Sequence, residues 1–457
     1  VWRKCALIKL HIHICHDLLN RMKSPIFYII KDTLIYGIGN VLAKGMSFLM
    51  AIVYTHFIIT KDMGAYGYVS VIMALLFSII EMGSGNAFAR YYFEYKDETS
   101  KKTLTSSILL FYLFICLVVI TPLVVMHERL ANKMFDTAQY NNLLLLAILS
   151  QPILLFSSFF DQIFRNQFKA TIFIIFSNIR TILTITIAFL LLIYTGLGVL
   201  SLVLANLAAL LLPLPIKIYT LRNSWSYTID LGMLKKIVKY GIPFIPTGIA
   251  YWIFSSIDRV MLEEMSSLEE VGVYTIAAGL SGIVSLFTTA IGQAWAPRAI
   301  DLYEKNPEAA KDVYSRFFSI LIFGVGSVVF ISGLFAKELI VTFLHSSYHQ
   351  AFIPALILII GLSFQATTQV ISIGIYLRKK TIYFFYISLL TAIFNIAMNY
   401  LLIPLFHGKG AAIATCLSYV LLTVLLFVTS QLLYRTKYNW KSVAAFLTFV
   451  LIALVVP

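Results

Sequence analysis

The feature that most constrains this chain is a run of about twenty apolar residues that recurs along its whole length, ended each time by a short charged break. Ser107 to Val125, SILLFYLFICLVVITPLVV, is one such run. As a helix, roughly 20 residues cross the ~30 Å hydrocarbon layer of a bilayer. Runs of this kind fall near 34 to 58, 65 to 88, 104 to 126, 142 to 162, 171 to 194, 199 to 219, 241 to 262, 271 to 295, 316 to 337, 352 to 376, 382 to 403 and 411 to 434, and a thirteenth starts at about 441. With 60% hydrophobic and 12% charged residues, the chain is excluded from the soluble globular class. The expected fold is an all-α polytopic membrane protein.

The formal net charge of +14 does not point to nucleic acid, because the basic residues lie in the breaks between spans. They set the orientation instead. With the N-terminus in the cytoplasm, the inner breaks hold Arg90, Lys96, Lys101 and Lys102; Arg165 and Lys169; Lys217, Arg222, Lys235, Lys236 and Lys239; Arg298, Lys305, Lys311 and Arg316; Arg378, Lys379 and Lys380; and Arg435, Lys437 and Lys441. The outer breaks hold only Lys61, Arg129, Lys133, Lys337 and Lys409. No connection is longer than about 20 residues, which leaves no room for a soluble catalytic or nucleotide-binding domain. There is no GxxxxGK[ST] phosphate loop, GxSxG elbow or HExxH pair, so the expectation is a transporter and not an enzyme, with no cofactor and no metal.

The four cysteines (Cys5, Cys15, Cys116, Cys416) are scattered and read as inert thiols. His56, His127, His345, His349 and His407 sit near outer span ends without metal-ligand spacing, and the aromatic residues read as mostly lipid-facing or interfacial. His11, His13, Cys15 and His16 resemble a metal cluster, but their spacing fits no closed zinc site. Met22 opens a sensible start, so residues 1–21 read as a non-native or disordered extension, and the closing apolar run reads as truncated.

The two halves share ordered landmarks. Tyr-Gly-Ile at Tyr36 returns at Tyr240, Gly64-Ala-Tyr returns as Gly272-Val-Tyr, Arg90 returns as Arg298, and Gly196-Leu-Gly returns as Gly408-Lys-Gly. Six spans per repeat is an even number, so both halves enter the membrane in the same direction, related by an axis along its normal. The expected organisation is an N-terminal six-helix lobe at 22–219, a cytoplasmic connector at 220–240, a C-terminal six-helix lobe at 241–434, and the start of an additional helix at 435–457, with a central cavity between the lobes.

Charge at the centre of a span costs on the order of 2.5–3.5 kcal/mol on insertion scales, so such residues point inward. Lys44, Arg180 and Arg259 lie in three separate spans and are candidates to line a cationic cavity for a polyanionic headgroup. The plainer alternative is that Arg259 pairs with a carboxylate to hold helices together and Lys44 snorkels. Asp258, Glu81 and Asp161 are candidate coupling or ion-pair carboxylates, and Arg90 and Arg298, at equivalent inner edges, are candidates for a gate or headgroup capture. Pro243 and Pro246 open the seventh span as hinges or as helix kinks.

The segment from Lys31 to Val71, the Asp258-Arg259 pair followed by EEVGVYTIAAGL, and Asn399 to Tyr419 (NYLLIPLFHGKGAAIATCLSY) resemble the bacterial polysaccharide flippases of the multidrug/oligosaccharidyl-lipid/polysaccharide exporter superfamily. The resemblance implies twelve to fourteen helices in the inner membrane, and movement of an undecaprenyl-diphosphate-linked oligosaccharide, the repeat unit of O-antigen or capsule, from the cytoplasmic to the periplasmic leaflet. It also implies membrane lipid, polysaccharide polymerase and chain-length proteins as partners; H+ or Na+ coupling is open. A drug or metabolite antiporter of the same architecture would need deep carboxylates, and a glycan polymerase or ligase would need a long outer loop.

Overall fold

A computed structural model of the protein describes residues 45–46, 49–242, 244–285, 288, 295, 299, 302–303, 306–378, 380 and 382–455, and among these there are helices and turns but no strand. In the first half, α1 (Thr60–Glu81) passes through a left-handed break at Met82 and Gly83 into α2 (Ser84–Glu94). α3 (Glu98–Ile115) starts at Asp97, whose carboxylate accepts a 2.7 Å hydrogen bond from the Ser100 N–H. The Ser100 side chain and backbone together hold that carboxyl below its usual range. α3 runs on through a π turn at Cys116–Ile120 to Val125, and α4 (His127–Phe135) is a short surface helix. α5 (Asn141–Asn166), α6 (Ala170–Tyr194), α7 (Leu200–Leu211) and its continuation α8 (Leu214–Leu221) complete the first lobe. The connector α9 (Leu231–Gly241) is capped by Asp230, which accepts from the Gly232 and Met233 N–H groups.

The second half holds α10 (Phe244–Met265), α11 (Leu268–Ser281), α12 (Pro307–Phe343), α13 (Phe352–Ile371) with its extension α14 (Ile373–Leu377), α15 (Ile382–Leu433) and α16 (Trp440–Val455). Fifty-two residues make α15 too long for one crossing. It folds back at His407, whose φ of 51° and ψ of −130° break the helix, and Asn395 Nδ2 then reaches Ser418 Oγ at 3.1 Å. The spans expected at 382–403 and 411–434 are these two arms. Among the described residues eight helices are long and apolar enough to cross a membrane, α15 counted once. α10, with Asp258, Arg259, Glu263 and Glu264, is not among the eight.

The protein is a multi-pass membrane protein of two helical lobes, and its burial pattern is that of a chain solvated by lipid. Leu113, Leu117 and Val125 are exposed, whereas Thr391, Asn395, Asn399 and Ser418 are fully buried. Polar side chains turn inward because lipid offers no hydrogen bonds. The aromatic residues divide: Phe114, Phe189, Phe323 and Phe335 are exposed as expected, whereas Tyr112, Tyr140, Tyr274, Tyr348, Phe88 and Phe159 are buried. The tyrosine hydroxyls explain part of this, since Tyr112 pairs with Ser84 at 2.6 Å and Tyr348 donates to the Ile58 carbonyl at 2.7 Å.

α1 packs against α10 and α11 of the second lobe. The approach to α11 is so close that a Cβ on Gly64 would stand 1.7 Å from the Leu268 carbonyl oxygen, and one on Gly272 would stand 1.9 Å from that of Thr60. Each glycine meets the residue four before the other, which is the reciprocity a twofold relation produces. The repeated Gly64-Ala-Tyr and Gly272-Val-Tyr are therefore a contact that joins the halves. At the far end of α1, a Cβ on Gly241 would lie 2.3 Å from the Met82 carbonyl.

Candidate substrate cavity

Between these two closures lies a cavity of about 430 Å³, walled by α1, α5, α7 and α10. Its polar lining includes Ser70, Ser78, Ser150, Gln151, Asn206, Ser255 and Ser256, and its aromatic lining is Tyr66, Phe77 and Trp252. Among the described residues none that lines it is charged. Trp252 fixes α10 against α1 by donating its indole N–H to the Val71 carbonyl at 2.7 Å. Gln151 is placed by α5, where the following Pro152 lacks the N–H that would bond one turn back.

A second cavity of about 340 Å³ adjoins the first through Asn206, which lines both. Arg180 lines this second one with Tyr54, Ser177, Thr181 and Thr184, and its guanidinium donates to Asn206 Oδ1 at 3.3 Å. A cation ringed by hydroxyls in a partly buried chamber is suited to an anion such as a phosphate.

Of the other expected cations, Arg259 and Arg90 do not converge there. Arg259 stands over the Tyr274 ring at 5.7 Å, its Nε buried without a hydrogen-bond partner, and it lines neither cavity. Arg90 is exposed and pairs with Glu94 at 3.8 Å. Lys44, Arg298 and Pro243 lie outside the described residues, and Pro246 is exposed near the start of α10.

The carboxylates divide by role. Glu81 accepts from the Gly83 and Gly85 N–H groups at 2.8 and 2.6 Å, bracing the break between α1 and α2. Asp161 forms a 2.6 Å ion pair with Lys217, which also donates to Ser157 at 3.0 Å. The sequence placed Lys217 in a charged break, but its side chain is only 5% exposed because the partner one helix away draws it inward. Asp258 is buried in the second lobe, accepting from the Tyr274 hydroxyl at 2.5 Å, from Thr415 at 3.4 Å and from the Arg259 N–H at 2.8 Å. Close by on α15, Asn399 donates to Asn395, and its own Oδ1 is buried without a partner. Gln151, Asn206, Trp252 and Lys217 are the site residues sequence reasoning missed. The available signal was a glutamine before a proline in the middle of LLLLAILSQPILLF.

Comparison with known proteins fits this geometry. The family described as polysaccharide biosynthesis protein matches residues 29–302, and the family described as MatE matches residues 243–401. Among solved structures, the lipid II flippase MurJ in an inward closed conformation is similar with a TM-score of 0.75 at 16% identity, over 92% of this chain and 91% of that one. An inward-facing multidrug resistance MATE family transporter of the MOP superfamily is similar with a TM-score of 0.68 at 15% identity, over 89% and 96%. A MOP superfamily transporter from Pyrococcus furiosus Vc1, noted for the reverse polarity of its binding pocket, gives 0.59 at 15% identity, over 92% and 96%. A search of curated protein sequences found no match.

Proposed function

The chain belongs to the polysaccharide biosynthesis protein family, and from that premise we propose that it is a transporter of the MOP superfamily, a flippase for undecaprenyl-diphosphate-linked oligosaccharide repeat units that moves them from the cytoplasmic to the periplasmic leaflet of a bacterial inner membrane. The observation that carries this reading is the pair of adjoining polar chambers, one with Arg180, inside an otherwise apolar bundle. Each sugar hydroxyl moved unpaired into hydrocarbon costs roughly 2–7 kcal/mol, so the headgroup needs such an interior. The polyprenyl chain, favourable in lipid by about 0.8 kcal/mol per methylene, stays outside.

In this scheme the N-terminus faces the cytoplasm, the two lobes are 22–219 and 241–434, and Arg180 holds the anionic part of the headgroup. Asp258 is the coupling carboxylate: it is buried on the helix that lines the chamber and is linked through Thr415 to the last span of its lobe. A drug antiporter is the second reading, favoured by the MatE match over 243–401. It calls for a carboxylate facing the cavity to take a cationic drug, and none lines the larger chamber among the described residues.

The test is complementation in strains lacking their own repeat-unit translocase. The wild-type gene restores surface polysaccharide in at least one host, and Arg180→Ala lowers it without lowering the amount of protein in the membrane. Failure to restore glycan in any host, with extrusion of cationic dyes instead, hands the function to the antiporter.

A further inference from the structure

Away from both chambers, three connections of the first lobe enclose a further cavity of about 740 Å³. It lies where α2 meets α3, where α5 meets α6 and where α8 runs out towards the connector, and it shares no lining residue with either chamber. Lys96 and Lys101 enter its wall from the first connection and Lys169 from the second. Gln167 Nε2 donates to Ser224 Oγ at 2.9 Å, tying the second connection to the third.

Glu98 is the one carboxylate on this wall among the described residues, so three lysines against one glutamate leave it with a net charge of +2. Glu98 is 74% exposed and pairs with Lys101 at 2.9 Å, a solvent-screened pair of the kind that holds weakly. Lys101 is steadied from its other side by the Tyr92 ring, 5.3 Å from the ammonium. Lys96 and Lys169 are exposed and have no carboxylate partner among the described residues. Lysines that only mark the inner side of a membrane protein need not share a hollow, whereas these three converge on one from two connections.

Two aromatic rings complete the cavity. Phe93 and Phe168 also line it, with ring centroids 5.7 Å apart and 56% and 77% of their surface exposed. Phe168 has a φ of 57°, in the left-handed region that crowds a bulky side chain. The turn it belongs to is closed by the Lys169 N–H on the Phe164 carbonyl at 2.9 Å, and it places Phe168 and Lys169 side by side on the wall. Both rings lie at helix ends where apolar runs give way to charged breaks, the level at which aromatic side chains meet lipid headgroups.

We propose that this cavity is a lipid site: the phosphate headgroup of an anionic lipid is received by Lys96, Lys101 and Lys169, and the apolar part of the same molecule lies against Phe93 and Phe168. An ammonium binds phosphate as a point charge, and Lys101 exchanges a screened carboxylate for it. A free phosphate satisfies the lysines but leaves both rings in water. The site stands whatever the chambers carry, and with the N-terminus in the cytoplasm it faces the inner leaflet.

The experiment titrates the purified full chain in an uncharged detergent with dioctanoyl phosphatidylglycerol and counts bound lipid by native mass spectrometry. Dioctanoylglycerol lacks the phosphate, dioctanoyl phosphatidylcholine offsets its charge, and glycerol 3-phosphate lacks the tails. Wild type is expected to bind phosphatidylglycerol on the order of tenfold more tightly than any of the three, the effect of one or two lysines meeting an anionic lipid. Lys96→Gln combined with Lys169→Gln removes that preference. Phe93→Ser combined with Phe168→Ser weakens the lipid severalfold and leaves glycerol 3-phosphate as it was. Lys235→Gln combined with Lys239→Gln takes the same charge from exposed positions on α9 and leaves the affinity unchanged. Equal binding of phosphatidylglycerol and phosphatidylcholine by wild type overturns the inference. So does an equal loss in the α9 variant, which reduces the lysines to diffuse surface charge, and so does glycerol 3-phosphate binding as tightly as the lipid, which makes the cavity a site for free phosphate. If the lysine or phenylalanine variants do not fold, the wild-type ranking of the four probes decides.

Discussion

The two lobes carry their buried carboxylates differently. In the first lobe Asp161 is neutralised by Lys217 at 2.6 Å, with Ser157 as a further partner, and Arg180 is left free to face a chamber. In the second lobe Asp258 is held by two hydroxyls and a backbone N–H, with no ion pair to it among the described residues. A carboxylate locked to a lysine has little freedom to change its proton or cation during a cycle, whereas one held by hydroxyls keeps lone pairs that can bind either. On the proposed flippase reading, two halves built on one plan would divide the work, the first taking the anionic cargo and the second the driving ion.

The largest effect should come from breaking the first lobe's pair. Lys217→Met leaves Asp161 as a buried, unpaired charge and is expected to destabilise the protein by about 3–5 kcal/mol, whereas Asp161→Leu combined with Lys217→Met should restore most of that stability. Unfolding in mixed micelles measures both. If the double variant is as unstable as the single one, the pair is more than a structural lock.

Next in size is the second lobe. Asp258→Asn should keep the fold and the hydroxyl contacts but remove dependence of transport on an imposed H+ or Na+ gradient in reconstituted vesicles, a change on the order of 5–150-fold if the coupling has a typical strength of 1–3 kcal/mol. Flipping that responds to the gradient as in wild type would remove Asp258 from the coupling role and leave the two lobes alike.

The contrast itself was only half legible in the sequence. The eight spans among the described residues and the hairpin of α15 follow from apolar length, because lipid forces every crossing segment into a helix, and the Gly64 and Gly272 contact falls on the repeated landmarks. Arg180 was picked out for its cost inside a span, and the structure puts it on a chamber wall. Lys217 was not, because a lysine near the end of a run looks the same whether it reaches out to water or in to Asp161. Gln151 was hidden for a different reason. An uncharged amide has a small insertion cost, so only the three-dimensional structure, which sets it on the chamber wall, singles it out.

Where the lobes do match, the match can be tested by symmetry. Gly64 and Gly272 face backbone carbonyls of the opposite lobe at comparable approach, 1.7 and 1.9 Å from an added Cβ. Gly64→Ala and Gly272→Ala should therefore be similarly destabilising, each by about 1–3 kcal/mol, since backbone cannot move aside as a side chain would. A large difference between the two melting temperatures would show that one helix yields and that the reciprocity is not shared in energy.

The smallest expected effect separates the two hydroxyls on Asp258. Tyr274 reaches it at 2.5 Å and Thr415 at 3.4 Å, so the two bonds cannot be of equal strength. Thr415→Val keeps the shape of the side chain and removes only the longer bond, and its stability should fall by less than about 1 kcal/mol. If Asp258 is the coupling carboxylate, transport should change more than stability, because Thr415 sits on the second arm of α15 and bonds Asp258 directly. A variant with wild-type gradient dependence confines Thr415 to packing and leaves Tyr274 as the hydroxyl that answers to the state of the carboxylate.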